Sequence, residues 1–235
     1  MAYKTCVSVA EITPKKIQST LRQALQKSDY AEIRFDFLRP EQIPDALQSI
    51  QNHLKRCICT LRPKSEGGKF VGTEQNRVSI LKLIAEYRPY LLDLEFSTIS
   101  KNRSLIEYVR KTGTQMLVSW HDFKKTPSYS TLNSKMKKMK KFSKNVKIVT
   151  MANSISDATT VLSLYRKQNT DLIAFSMGDY GRISRILCMS LGSPFTYVSL
   201  GKPIAPGQFS VDEVDRKSTR LNSSHIQKSR MPSSA

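Results

Sequence analysis

QMLVSWHDFKKTPSYSTLNSKMKKMKKFSKNVKIVTMA, residues 115–152, holds two β-rich runs on either side of a helical stretch. The runs are QMLVSWHDF (from Gln115) and NVKIVTMA (from Asn145). Between them Met136, Met139 and Phe142 recur as the buried stripe of a helix, and the lysines of KMKKMKKFSK fall on its other side. A strand, a helix and a second strand in that order predict a parallel pair joined by a right-handed crossover.

The same texture continues in both directions. TCVSVA (from Thr5), YAEIRFDFL (from Tyr30), RCICTLR (from Arg56), LLDLEF (from Leu91), DLIAFSMG (from Asp171) and FTYVSL (from Phe195) bring the strand candidates to eight. Helical spacings separate them: Ile17, Leu21 and Leu25; Val78, Leu81 and Ile84; Val161, Leu164 and Tyr165. Eight alternations in about 200 residues predict an α/β fold, a (β/α)8 TIM barrel. An open doubly wound sheet needs similar units. No Gly-x-Gly-x-x-Gly follows the first strand, so a dinucleotide fold has no support.

In such a barrel the chemistry sits at the C-terminal strand ends. The polar residues there are Ser8; Glu32, Arg34 and Asp36; Arg62 and Glu66; Asp93 and Glu95; His121 and Asp122; and Lys147. Ionisable groups inside apolar strands are costly unless paired or used. Strand alternation puts Glu32, Arg34 and Asp36 on one face, and Asp93 with Glu95 on another. A structural network of ion pairs explains some of these residues but not their number.

Lys147 lies among Val146, Ile148 and Val149. Desolvation, together with cationic neighbours such as Arg34 and Arg62, is expected to favour its neutral amine. A neutral amine adds to a ketone to form an imine, which acidifies the adjacent C–H. His121 ends the preceding strand and suits proton transfer. Glu66, beside Gly67 and Gly68 in a loop, is expected to hold the imidazole and raise its pKa. GRISR (from Gly181) ends in Arg185, which suits a carboxylate. KPIAPGQ (from Lys202) offers Gln208 to hydroxyls.

The chain has 235 residues and a formal charge of +19, with six lysines between Lys135 and Lys144. A solvated helix face is the expected reading of that run, and nucleic-acid binding is not expected. The N-terminal stretch MAYKTCVSVAEITPKK lacks a signal-peptide core, no apolar run approaches membrane length, and the four cysteines read as packed thiols. These features predict a cytoplasmic protein without membrane association or a metal site.

The segments VSVAE, EIRFDFL, CTLRPKSEGG, WHDFKKTP, VKIVTMA, FSMGDYGRISR and APGQ, in that order over roughly residues 3–214, resemble the type I 3-dehydroquinate dehydratases. The resemblance implies a (β/α)8 barrel that converts 3-dehydroquinate to 3-dehydroshikimate and water in the shikimate pathway, without cofactor or metal, as a homodimer. It implies Lys147 as the imine-forming residue, His121 as the proton-transfer group and Glu66 as its orienting carboxylate. Arg185 would hold the substrate carboxylate, Met177 would pack on the ring, and Ser8, Glu32, Arg34, Arg62 and Gln208 would contact hydroxyls or shape the site. Ile204 stands where the family usually has a serine, and a backbone N–H is expected to replace that contact. Phe175 stands where a smaller or more flexible apolar residue is common.

After FSVDEV the family expects an eighth helix, but residues 215–235, DRKSTRLNSSHIQKSRMPSSA, resemble translated vector sequence. The expected organisation is therefore a barrel over 1–214 with an incomplete or replaced eighth helix, followed by a basic tail. Some members of the family are fused to a shikimate dehydrogenase, so the barrel can also be read as one half of such a protein. Two other readings compete: another Schiff-base lyase or class I aldolase, which explains Lys147 but not the other segments, and a truncated inactive barrel.

Overall fold

The computed structural model describes residues 3–166 and 170–214. All eight predicted runs form strands: β1 (Thr5–Val9), β2 (Tyr30–Arg34), β3 (Cys57–Thr60), β4 (Leu91–Glu95), β5 (Met116–Asp122), β6 (Asn145–Met151), β7 (Asp171–Met177) and β8 (Thr196–Ser199). A short β9 (Phe209–Ser210), absent from the sequence reading, adds to β8. Every pairing is parallel. The helices are α1 (Pro14–Lys27), α2 (Ile43–Ile50), α3 (Glu74–Glu86), α4 (Phe96–Ile99), α5 (Arg103–Thr112), α6 (Tyr129–Lys140), α7 (Ile155–Leu162) and α8 (Ser184–Ser190).

The strand order is β7-β6-β5-β4-β3-β2-β1-β8-β9, so β8 lies beside β1 and the sheet curls into a barrel. Among the described residues no ladder joins β7 to β8. Side chains close that seam, with the Phe175 and Tyr197 rings 6.2 Å apart. Helical residues 211–214 follow β9 and bury Val211 and Val214. The expected tail, 215–235, lies outside the described residues.

Strand alternation divides the core in two. Val7, Ile33, Cys57, Cys59, Leu92, Val118, Val146, Ile148 and Ala174 face outward against the helices. Cys6, Ile58, Leu91, Leu117, Ile173 and Phe195 fill the barrel interior. Two residues further along several strands the interior turns polar, at Ser8, Thr60, Asp93 and Ser119. Hydrophobic packing thus plugs one end of the barrel and leaves the C-terminal end for charged groups. Cys57 and Cys59 share the outer face, and all four cysteines are buried and free.

The helix caps follow the sequence. Thr13, Thr73 and Ser128 accept from the backbone N–H groups of Lys16, Asn76 and Thr131 to open α1, α3 and α6. Met136 and Met139 of α6 are buried, as the stripe predicts, and Lys137, Lys138, Lys141 and Lys144 are exposed.

Candidate active site

The eleven residues given catalytic or substrate-binding roles above meet at one cavity of about 220 Å³ at the C-terminal ends of the strands, while Asp36, Asp93, Glu95 and Asp122 do not line it. It is lined by Ser8, Glu32, Arg34, Arg62, Glu66, His121, Lys147, Met177, Arg185, Ile204 and Gln208, with Gly67, Phe123, Val149, Phe175, Tyr197, Ala205 and Pro206.

Lys147 is 5% exposed and sits at the floor. Its immediate partners correct the expectation of cationic neighbours. Nζ lies 3.5 Å from a Glu32 oxygen and 3.5 Å from an Asp93 oxygen, and 4.1 Å from the centre of the Tyr197 ring. The carboxylates are themselves fixed. Ser8 and Thr60 donate to Glu32 at 3.1 and 3.0 Å. Arg62 and Ser119 each donate to Asp93 at 2.5 Å. Arg62 also donates to Glu95 at 2.8 Å, and Glu95 accepts from the fully buried Arg77 at 2.8 Å. Arg77 reaches Thr98, Glu74 and the Leu61 carbonyl as well. A buried charge network therefore runs from α3 through β4 and the end of β3 to the lysine. Each member is paired, as burial of charge requires.

His121 lies one layer above. Parallel register pairs Ser119 with Lys147 and His121 with Val149, so the two functional side chains point into the barrel two residues apart in height. Its Nδ1 is 3.2 Å from Glu66 Oε2, and Ser97 donates to the other Glu66 oxygen at 2.8 Å. A proton on Nδ1 shared with Glu66 leaves Nε2 as the basic nitrogen. The expected rise of the imidazole pKa is overturned, because the effects opposing it outweigh Glu66. Burial, then the positive charges of Arg62, Lys147 and Arg34, hold His121 well below 6.5. The same burial pushes Glu66 up to about 7, with Glu95 adding to the rise and Arg62 and Ser97 opposing it.

Arg34 makes a bidentate pair with Asp36 at 2.8 Å. Asp36 does not continue the strand face. It sits in a tight helical turn, Phe35–Phe37, and also accepts from the Lys69 N–H. Arg185 stands apart. It is 2% exposed, stacks 4.4 Å over Phe175 and donates only to the Pro206 carbonyl at 3.1 Å, while its Nε has no partner and no carboxylate is in reach among the described residues. Burial lowers its pKa to about 10. An unpaired, desolvated guanidinium is a ready receptor for an anion.

The loop after β8 folds onto Gln208. Gln208 Oε1 accepts from the N–H groups of Ile204 and Ala205 at 2.9 and 3.4 Å, and Nε2 donates to Ser8 at 3.4 Å. The backbone N–H of Ile204 itself, at the position where a serine is usual, is thus engaged by Gln208. Sequence reading missed Tyr197 and Phe123. Alternation in FTYVSL was a usable signal for Tyr197, which shares the inward face of β8. Among the described residues no group of three or more His, Cys, Asp or Glu is arranged to hold a metal ion.

A lysine at the floor of a parallel barrel, with an imidazole–carboxylate pair above it and a lone arginine at the side, defines a class of Schiff-base barrel enzymes. The comparisons narrow that class. The family model for type I 3-dehydroquinase matches residues 5–223, and the chain belongs to that family. It is 33% identical to a 3-dehydroquinate dehydratase of Methanocaldococcus jannaschii, over 88% of this chain and 94% of that protein. It is 33% identical to a 3-dehydroquinate dehydratase of Methanothermobacter thermautotrophicus, over 92% and 96%. A crystal structure of 3-dehydroquinate dehydratase from Geobacillus kaustophilus superimposes with a TM-score of 0.87 at 23% identity, covering 95% of this chain and 92% of that one.

Proposed function

We propose that the chain is a hydro-lyase that removes water from 3-dehydroquinate to give 3-dehydroshikimate, through an imine on Lys147. The observation that carries this reading is the convergence of Lys147, His121 and Arg185 on one cavity. An amine, a neutral base and an unpaired anion receptor meet there, and the substrate offers a ketone, an acidic α-C–H and a carboxylate in return.

In this reading Arg185 binds the substrate carboxylate and Met177 packs on the ring. Arg34, Arg62, Ser8, Glu32 and Gln208 hold or frame the hydroxyls, and Ile204 gives an apolar edge to the mouth. Glu32 and Asp93 fix the Nζ of Lys147 beneath the ketone and accept and return its protons. Nζ attacks the carbonyl carbon, and loss of water gives a protonated imine. Nε2 of His121 then takes the α-proton, and the electron pair passes into the imine to form an enamine. The resulting imidazolium returns the proton to the β-hydroxyl, which leaves as water as the ring double bond forms. Hydrolysis of the imine frees the enone and restores the lysine. Glu66 holds the imidazole and stabilises its charged form. The homodimer belongs to this reading and rests on the family resemblance.

The test is turnover by purified protein. The product is a conjugated enone and the substrate is not, so ultraviolet absorbance rises as water is eliminated. Folded protein that produces no enone from 3-dehydroquinate sinks the reading.

A further inference from the structure

His121 is near the end of β5, at the barrel mouth, yet its side chain is only 9% exposed. Part of the cover comes from a residue that the reaction scheme leaves idle. The Phe123 ring lies almost parallel to the imidazole, at 17° with ring centres 5.9 Å apart. Its far edge rests on Gly67, where a Cβ would come within 2.5 Å of the ring. Gly67 is next to Glu66 and adopts φ +74°, a conformation that suits glycine. Asp122 accepts from the N–H groups of Lys124 and Lys125 at 2.9 and 3.1 Å, and this turn leaves Phe123 on the cavity side. The outer surface of the ring is open, with Phe123 42% exposed.

We propose that Phe123 is a positioning residue that shields the His121–Glu66 pair from water and keeps the imidazole in its neutral, base-competent form, with Gly67 as the seat that lets the ring lie flat. This rests on the reading of His121 as the base. The charged groups facing His121 are Arg34 from β2, Arg62 and Glu66 from the end of β3 and its turn, and Lys147 from β6. Asp93 and Glu95 of β4 are engaged by Arg62, and the Asp122 carboxylate is turned to its own loop. Arg34 and Lys147 are held on strands, and Arg62 is held by its ion pairs with Asp93 and Glu95. Desolvation, the largest influence holding the imidazole neutral, is the one a side chain at the mouth controls.

The experiment is an NMR titration of the histidine rings, which number three in the chain and are assigned with a His121→Asn variant. In Phe123→Ala the His121 titration should rise by about one pH unit or more toward its ordinary value. Phe123→Tyr should keep the low value. Gly67→Ala, which displaces the ring from its seat, should move His121 in the same direction as Phe123→Ala. Substitution at a half-open aromatic leaves the core intact, and circular dichroism checks this. A His121 titration unchanged in Phe123→Ala overturns the proposal. Because this readout needs no substrate, its outcome is separate from that of the turnover assay.

Discussion

Lys147 and His121 divide the work by height in the barrel. The lower layer holds the amine between two carboxylates, and the upper layer holds a base kept neutral by burial and by positive charge. In His121→Ala the lower layer is untouched, so the imine should still form and be trapped by borohydride, while turnover should fall by ~10²–10⁴-fold. Loss of trapping in that variant would place His121 in imine formation instead. The pH dependence belongs to Glu66. Its ionised form is the stronger acceptor for the imidazole N–H and the one that stabilises an imidazolium, and its carboxyl is raised to about 7. His121 is itself neutral through that range, so kcat/KM should fall as pH drops below about 7, and Glu66→Gln should abolish that limb at a lower, flatter rate. The sign for stability is opposite. Between its ordinary value of 4.5 and about 7 the folded protein retains a proton that the unfolded chain releases, so ionising Glu66 weakens folding as pH rises. Glu66→Gln should therefore gain stability relative to the parent at pH 8, measured by urea denaturation.

At the scale of elements, the strands and the turns that follow them place the functional groups, except Arg185, which α8 carries. The turn after β3 carries Glu66 and folds back so closely that a Cβ on Gly68 would stand 2.0 Å from the Arg62 carbonyl oxygen. Gly68→Ala should lower stability by ~1–3 kcal/mol and move Glu66 off the imidazole. A variant with unchanged melting temperature and rate would contradict this. Strands were the legible elements, because alternating apolar residues mark the outward face of each one. The inward-pointing Lys147, Glu32 and His121 stood out for the same reason. The carboxylate partners of Lys147 were not legible. Glu32 is four strands away along the sheet and Asp93 two, and their meeting depends on the curl of the barrel rather than on local spacing. The direction of the His121 shift was hidden similarly, since it sums burial and three cations from three strands. The two-residue β9 has no periodic pattern to read.

The whole molecule is a curled parallel sheet whose outer face is dry and whose inner face is apolar at one end and charged at the other. That division leaves the thiols deep in packing. Burial pushes Cys57 up to about 12 and Cys188 up to about 11, and raises Cys6 and Cys59 well above their ordinary value. None of the four should react with a thiol reagent at pH 8 in the native protein, and all four should react in denaturant. Fast native labelling would contradict this packing. The exposed lysines of α6 lie on the far side of that helix from its buried methionines, as a solvated face does.

The proposed reaction turns on one bond, between Lys147 Nζ and a substrate carbon. It is tested by incubating the protein with 3-dehydroquinate and borohydride, then locating added mass by digestion and mass spectrometry. A reduced adduct is expected on the peptide bearing Lys147, with neither adduct nor turnover in Lys147→Ala. Folded protein without an adduct, an adduct on another lysine, or full turnover by Lys147→Ala would contradict it.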